Sequence, residues 1–293
     1  MSDTFNNIFD VKIKERLNHV FQEEGFKARP YTIGGSVKAG TVRFPIMGKS
    51  TVYENRSPHT TIQFANPDLS YAEATPVNWE TAEPIDSLDG EKTNVNNMIN
   101  EIAKSLSYSV GRRVDYTILK TIAQKSGINT SGSGTHAAMS KTLMATVGRI
   151  ADEQDWMETE QSRVLFITPK VAEKMNTVSD FVTIDSVNSK PLHSGHMGFL
   201  YGFSIVKSNE LEQLHRDNIL GDGTSGTGTA YTGTDYDCLA WDRRSVGFET
   251  VKDLNVVTER RADINATQAL VEMSAATAVI HAQGVTKVEI DVT

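Results

Sequence analysis

TNVNNMINEIAKSLSYSVGRRVDYTILKTIAQK, residues 93–125, places Val95, Ile99, Ile102, Leu106, Val110, Val114, Ile118 and Ile122 at spacings of three and four. That period lines apolar side chains along one stripe of an α-helix. Taken as one helix, the stretch is about 50 Å long at the usual rise per residue. This is far above the typical globular helix, and it predicts a spine for other elements to pack on. Arg112, Arg113 and Asp115 interrupt the stripe with charge.

Downstream, GINTSGSGTH (127–136) is a flexible break, and Met139, Leu143, Val147 and Ile150 then mark a second helix running to about Gln154. RVLFITPKVAEKM (163–175) reads as a buried strand followed by a short helix, with Thr168 as N-cap and Pro169 at the first helical position. GHMGFLYGFSIVKSNEL (195–211) supplies a further turn and strand, and 221–235 is a polar glycine-rich loop. Strand-like runs follow at 238–241, 245–251, 254–258, about 276–282 and 286–292.

Upstream of the spine, residues 66–92 carry three prolines and seven acidic residues, which predicts an edge strand and loops. Before them the period changes to two. Val42, Phe44 and Ile46 alternate with Thr41, Arg43 and Pro45, and Ile62 and Phe64 alternate again after the NRSP turn signal (55–58). The pattern predicts a long hairpin, and a lone hairpin is marginal in water unless it lies on something else. Further upstream, Phe5, Ile8, Phe9, Ile13, Leu17, Val20 and Phe21 form an amphipathic helical stripe that Gly25 stops.

The totals exclude several classes. A formal charge of −8 argues against gripping nucleic acid through its phosphates, which Lys and Arg do by displacing counterions. One cysteine, Cys238, in an apolar run allows neither an intramolecular disulfide nor a cysteine metal cage. The N-terminal residues lack the pattern of a secretory signal, and no run approaches the ~20 apolar residues of a membrane span, so no membrane partner is expected. At 293 residues the chain predicts one large elaborated domain or two smaller ones.

Candidate chemistry is thin. Gly221, Gly223 and Gly226 match GxGxxG, but the TGTAYTGTD that follows cannot open the helix whose N–H groups would face a pyrophosphate. His193 and His196 are the only close histidine pair, and neither a third ligand nor a partner to orient them is identifiable. No GxSxG elbow or HExxH helix is present. The expectation is therefore no catalytic, cofactor-binding or metal residue. The charged groups that stand out are Arg112 and Arg113 in the spine and Asp242, Arg243 and Arg244 between strand-like runs. Arginine suits planar, bidentate pairing with carboxylates across an interface, and an acidic chain supplies such partners on its own copies.

The order of the parts carries a resemblance. A hairpin with AGTVRFPIMGKSTVY (39–53), PIDSLDGEK (84–92) leading into the spine, RVLFITPKVAEKM, and a return through CLAWDRRSVGFETVKDLNVV (238–257) resemble the major capsid protein of tailed bacteriophages, the Hong Kong ninety-seven fold. The most telling cues are Gly202, Phe203, Ile205, Val206, Ser208, Asn209 and Leu211, and the set Gly111, Asp115 and Ile118.

The resemblance implies an α+β fold with an N-terminal arm over 1–40 and an extended hairpin loop over 41–66. It implies a peripheral domain with the spine helix over 67–130 and 254–293, and an axial domain over 131–253. It further implies self-assembly into hexamers and pentamers of an icosahedral shell around double-stranded DNA, built in the host cytoplasm with a portal. A chain starting at Met1 with a short arm leaves no room for a cleaved scaffolding segment, so a separate scaffolding protein is expected. Lys49 lies near the hairpin tip, where some relatives form an isopeptide crosslink. Shell subunits need surfaces that become buried only on a neighbour. The expected assembly residues are Phe44, Ile46, Ile62, Phe64, Arg112, Arg113, Asp242, Arg243 and Arg244, with Val42 on the same side of the hairpin. Two rivals are an encapsulin-like compartment and a cytosolic metal-dependent or nucleotide-binding enzyme using His193, His196 and the glycine loop.

Overall fold

The computed structural model describes residues 25–38, 40–52, 54, 65, 67–86, 95–125, 127, 129–130, 136–159, 162–177, 198–217, 219–220 and 233–292. Strands β1 (Ser36–Lys38), β2 (Thr41–Met47), β3 (Leu69–Ala74) and β4 (Val77–Asp86) precede the spine helix α1 (Val95–Ala123). Two short strands, β5 (Asn129–Thr130) and β6 (Ala137–Ala138), lead to α2 (Lys141–Glu153), β7 (Arg163–Ile167) and α3 (Pro169–Thr177). Next come β8 (Phe199–Leu200), β9 (Phe203–Lys207), α4 (Asn209–Arg216) and β10 (Asp235–Asp242). The chain finishes with β11 (Val246–Arg261), β12 (Ala266–Val279) and β13 (Val285–Asp291), a mixed helix and sheet architecture.

The described residues divide into two compact units. One comprises Asn78–Arg113 and Lys252–Ser274 with Gly25; the other comprises Phe26–Val77, Val114–Val251 and Ala275–Thr293. The division cuts the chain differently from the domains expected above. Residues 275–293 group with the larger unit because β13 pairs antiparallel with β10 from Asp235↔Asp291 to Trp241↔Val285.

In the smaller unit, Ile102, Ala103 and Leu106 of α1 pack on Ile85 and Ala269. Gly25 meets the same helix at Gly111. A Cβ on Gly25 would lie 2.2 Å from the Gly111 carbonyl carbon, and the φ of +78° at Gly25 is one that glycine adopts without strain. The strands follow the order β11-β12-β4, with Pro84 on the edge strand β4, the place in a sheet where proline is tolerated.

In the larger unit a seven-stranded sheet runs β5-β13-β10-β7-β9-β8, with β6 also on β13. All of β7 is buried, and Phe166 stacks on Trp241 at 4.9 Å between ring centroids. Val114, Ile118, Leu119 and Ile122 of the spine are fully buried. Two helix starts are capped by side chains, the second of them as expected. The Ser140 hydroxyl accepts from the Leu143 N–H at 3.2 Å, and the Thr168 hydroxyl accepts from Val171 at 3.4 Å ahead of Pro169.

Two strand expectations are corrected. The runs at 245–251 and 254–258 are one strand, β11, and β12 begins at Ala266 rather than near Ala276. The link between the two runs, Lys252 and Asp253, is exposed and charged, and residues of that kind are depleted in strands, so the sequence reads a break there.

Candidate assembly surface

The hairpin is built from β2 and β3, in antiparallel register from Val42↔Ala74 to Met47↔Leu69. Successive side chains of a strand point to opposite faces, so this register sorts every residue of the pair to one side or the other. Val42 and Phe44 turn inward, fully buried against Ala72, Ala74, Ala276, Ala278 and Ile280. The Phe44 ring lies between Gly35 and Gly247, where a Cβ would approach it to 2.7 Å and 2.5 Å respectively. The expectation that a neighbouring copy covers Phe44 is thereby corrected: its own chain covers it. Ile46, on the same face, is partly buried, and Ile62 and Phe64 lie outside the described residues.

The opposite face is the exposed one. Met47, Leu69 and Tyr71 are 69%, 78% and 55% exposed, and Pro45 lies opposite Tyr71 in the ladder. Arg43 organises one end: its Nε donates to Glu73 Oε1 at 2.6 Å and its guanidinium lies over the Tyr71 ring, 4.7 Å from the centroid. Proline fits at position 45 because β1 pairs with only Thr41–Arg43 of β2, which leaves the strand paired on one side beyond them. Sequence alternation showed two faces but the stronger apolar set, Val42 and Phe44, belongs to the core. The surface set is completed by β3, which the prolines and acids of 66–92 obscured.

The 242–244 corner is a knot within the chain. The buried Asp242 carboxylate accepts from the N–H groups of Met157 (2.8 Å) and Arg244 (2.8 Å), and from Arg244 Nε (3.1 Å) and Nη2 (2.9 Å). Burial alone would raise its pKa, but the bonds from the Arg244 side chain and from the two N–H groups outweigh it and hold the carboxyl below its ordinary value. Asp242 as an assembly contact is corrected: its acceptors are used at home. Arg243 donates from its N–H to Ser162 O (2.8 Å) and from Nε to Thr32 O (3.2 Å), and Arg244 Nη2 also reaches Asp155 O (3.1 Å). Both arginine side chains remain exposed. On the spine, Arg113 is exposed and Arg112, partly buried, donates to Ser109 Oγ at 3.0 Å.

A second polar cluster had no sequence signal, since its members are far apart in the chain. The buried Asp237 carboxylate is hydrogen-bonded to His136 Nε2 (2.9 Å) and Lys287 Nζ (3.0 Å), and Lys287 also pairs with Glu289 Oε1 (3.2 Å). Burial would lower the Lys287 pKa, but the charge of Asp237 and the bonds to both carboxylates outweigh it and raise it above the ordinary value. The Asp237 N–H donates to His215 Nε2 at 3.1 Å, so the imidazole meets β10 where β7, which pairs with only Leu239–Asp242, does not reach. The cluster ties β10, β13 and α4 together.

Among the described residues, no group of three His, Cys, Asp or Glu side chains is placed to hold a metal ion, and no helix is long and apolar enough to cross a membrane. His193, His196 and glycines 221, 223 and 226 lie outside them. Cys238 is buried, and burial pushes its thiol pKa above the ordinary value, which suits a packing role.

A family model described as phage capsid protein matches residues 5–292. No curated protein matches the chain. Among solved structures, the capsid of the cyanophage P-SCSP1u is similar at TM-score 0.66 and 18% identity, covering 97% of this chain and 94% of that one. The head structure of Helicobacter pylori bacteriophage KHP40 is similar at TM-score 0.70 and 11% identity, covering 97% of each chain. The capsid of a native GTA particle is similar at TM-score 0.66 and 10% identity, covering 96% and 95%.

Proposed function

The chain belongs to the phage capsid protein family and is a major capsid protein that self-assembles into the head shell of the virion, and from that premise we propose how it does so. Copies join as hexamers and pentamers of an icosahedral shell, and the outer face of the hairpin, Arg43, Pro45, Met47, Leu69 and Tyr71, is a principal contact between them. The observation that carries this reading is the exposure of Met47, Leu69 and Tyr71 side by side on a two-strand ladder whose other face is core. Apolar and aromatic side chains around an arginine are the composition of an interface centre. Arg243 is exposed and, among the described residues, spends only its Nε within the chain, on Thr32 O, so its guanidinium suits a carboxylate of an adjacent copy.

The shell encloses double-stranded DNA, and the net charge of −8 favours a wall that contains DNA without adhering to it. Assembly proceeds in the host cytoplasm with a portal, and the protein's role is structural, with no catalysis. Negative-stain microscopy of the purified chain tests the reading. Shells, capsomers or tubes are expected, and particles isolated from infected cells should hold nucleic acid. A stable small oligomer, or particles filled with protein cargo alone, would overturn it.

A further inference from the structure

Residues 26–35 form a strap across the larger unit, fastened by groups distant in sequence. At one end the buried Asp115 carboxylate accepts two consecutive N–H groups, Lys27 on Oδ2 and Ala28 on Oδ1, each at 2.9 Å. Lys27 Nζ donates to Lys207 O at 2.9 Å. Farther along, Tyr31 O accepts from Trp241 Nε1 (2.9 Å) and Thr32 O from Arg243 Nε (3.2 Å). Ile33 bridges to Gly247 in parallel, and the Gly35 N–H donates to Glu249 Oε2 at 2.7 Å.

This strap does more than cover the sheet. Its far end, Gly35, is one wall of the slot that holds Phe44, and so holds the inner face of the hairpin. Its near end turns at Phe26, with φ +58°, a left-handed conformation that is unusual for a bulky residue and persists only where the surroundings hold it. What holds it two residues on is Asp115, a charged acceptor that fits a pair of adjacent N–H donors. We infer that the strap is a positioning device for assembly and that Asp115 is its lock: it holds the chain's entry into the larger unit and the base of the hairpin in one fixed register. The inference rests on the assembly reading above.

An Asp115→Asn variant tests it. The amide keeps the size of the carboxylate but turns an NH2 toward one of the two N–H groups, so one charge-assisted bond is lost. Trypsin must engage Lys27, whose side chain is held while the strap is closed. We expect cleavage after Lys27 in the unassembled full-length chain to quicken by about tenfold, the scale of one such bond, with the melting temperature lowered by about 2–4 °C, because global unfolding loses the same bond. Closed shells should give way to aberrant or incomplete particles. If that variant fails to fold, Asp115→Glu, which keeps the charge and displaces it by one methylene, takes its place with the same expected readouts. Unchanged cleavage at Lys27, or normal closed shells from a chain whose strap is cleaved faster, overturns the inference. Failure of the wild-type chain to form shells would instead count against the assembly reading.

Discussion

Phe44 lies against Gly247 so closely that a Cβ on the glycine would sit 2.5 Å from the ring. The contact joins the hairpin to β11 and makes Phe44 part of the chain's own core. Gly247→Ala should therefore force the ring to shift and destabilise the unassembled chain by about 1–3 kcal/mol. Phe44→Ala should cost about 3–5 kcal/mol. Urea denaturation of the unassembled chain checks both, and a Phe44 variant of wild-type stability would return that residue to the surface.

The opposite face makes the contrasting case. Met47→Ser with Tyr71→Ser removes exposed apolar area and leaves the core untouched, so the melting temperature should stay near that of the wild type, as surface changes usually do. Assembly should fail, because interface energy concentrates in a few such side chains. Light scattering under assembly conditions reads the outcome directly.

Asp242 gives a pH dependence with a definite sign. Its folded pKa lies below its unfolded value, so its contribution to stability is present above about pH 4 and is lost as pH falls through the folded pKa. Asp242→Asn should lower stability at pH 7 and flatten the loss between neutral and acid pH. Equal acid slopes for variant and wild type would show that the carboxylate is not set by its Arg244 and Met157 bonds.

Lys287 has the reverse sign. Its pKa is raised, so its contribution is full below about pH 10 and falls as pH rises through the folded value. Lys287→Met leaves the Asp237 and Glu289 carboxylates without that ammonium, at a cost of about 1–3 kcal/mol at pH 7, below the range for a fully buried pair because the ammonium is part-exposed and His136 stays on Asp237. Denaturation at pH 7 measures the loss, and a cost near zero would mean that the carboxylates are balanced some other way.

These contacts show which parts of the molecule were legible from residues alone. The spine was, because Val110, Val114, Ile118 and Ile122 recur on one stripe and are buried as that stripe requires. So was β7 with its helix, since Thr168 and Pro169 mark the junction by their own backbone chemistry. The first half of β12 was not, because Leu270 and Val271 are adjacent rather than alternating and the Ala, Thr and Gln before them lack the bulk that marks a strand. The hairpin was half legible. Alternation separates Phe44 from Pro45, but which face is core depends on Gly35, Gly247 and Ala276, distant residues that no local pattern brings together. In the same way, Asp242 read as an assembly contact because its acceptors are filled partly by Met157, far away in sequence.

A cryo-electron microscopy reconstruction of the particles formed by the purified chain tests the central claim most directly. The account predicts closed icosahedral shells in which Met47, Leu69 and Tyr71 of each copy are covered by an adjacent copy while Phe44 stays beneath its own strands. Shells that leave this outer face bare to solvent, or a preparation that never exceeds a small fixed oligomer, would contradict it.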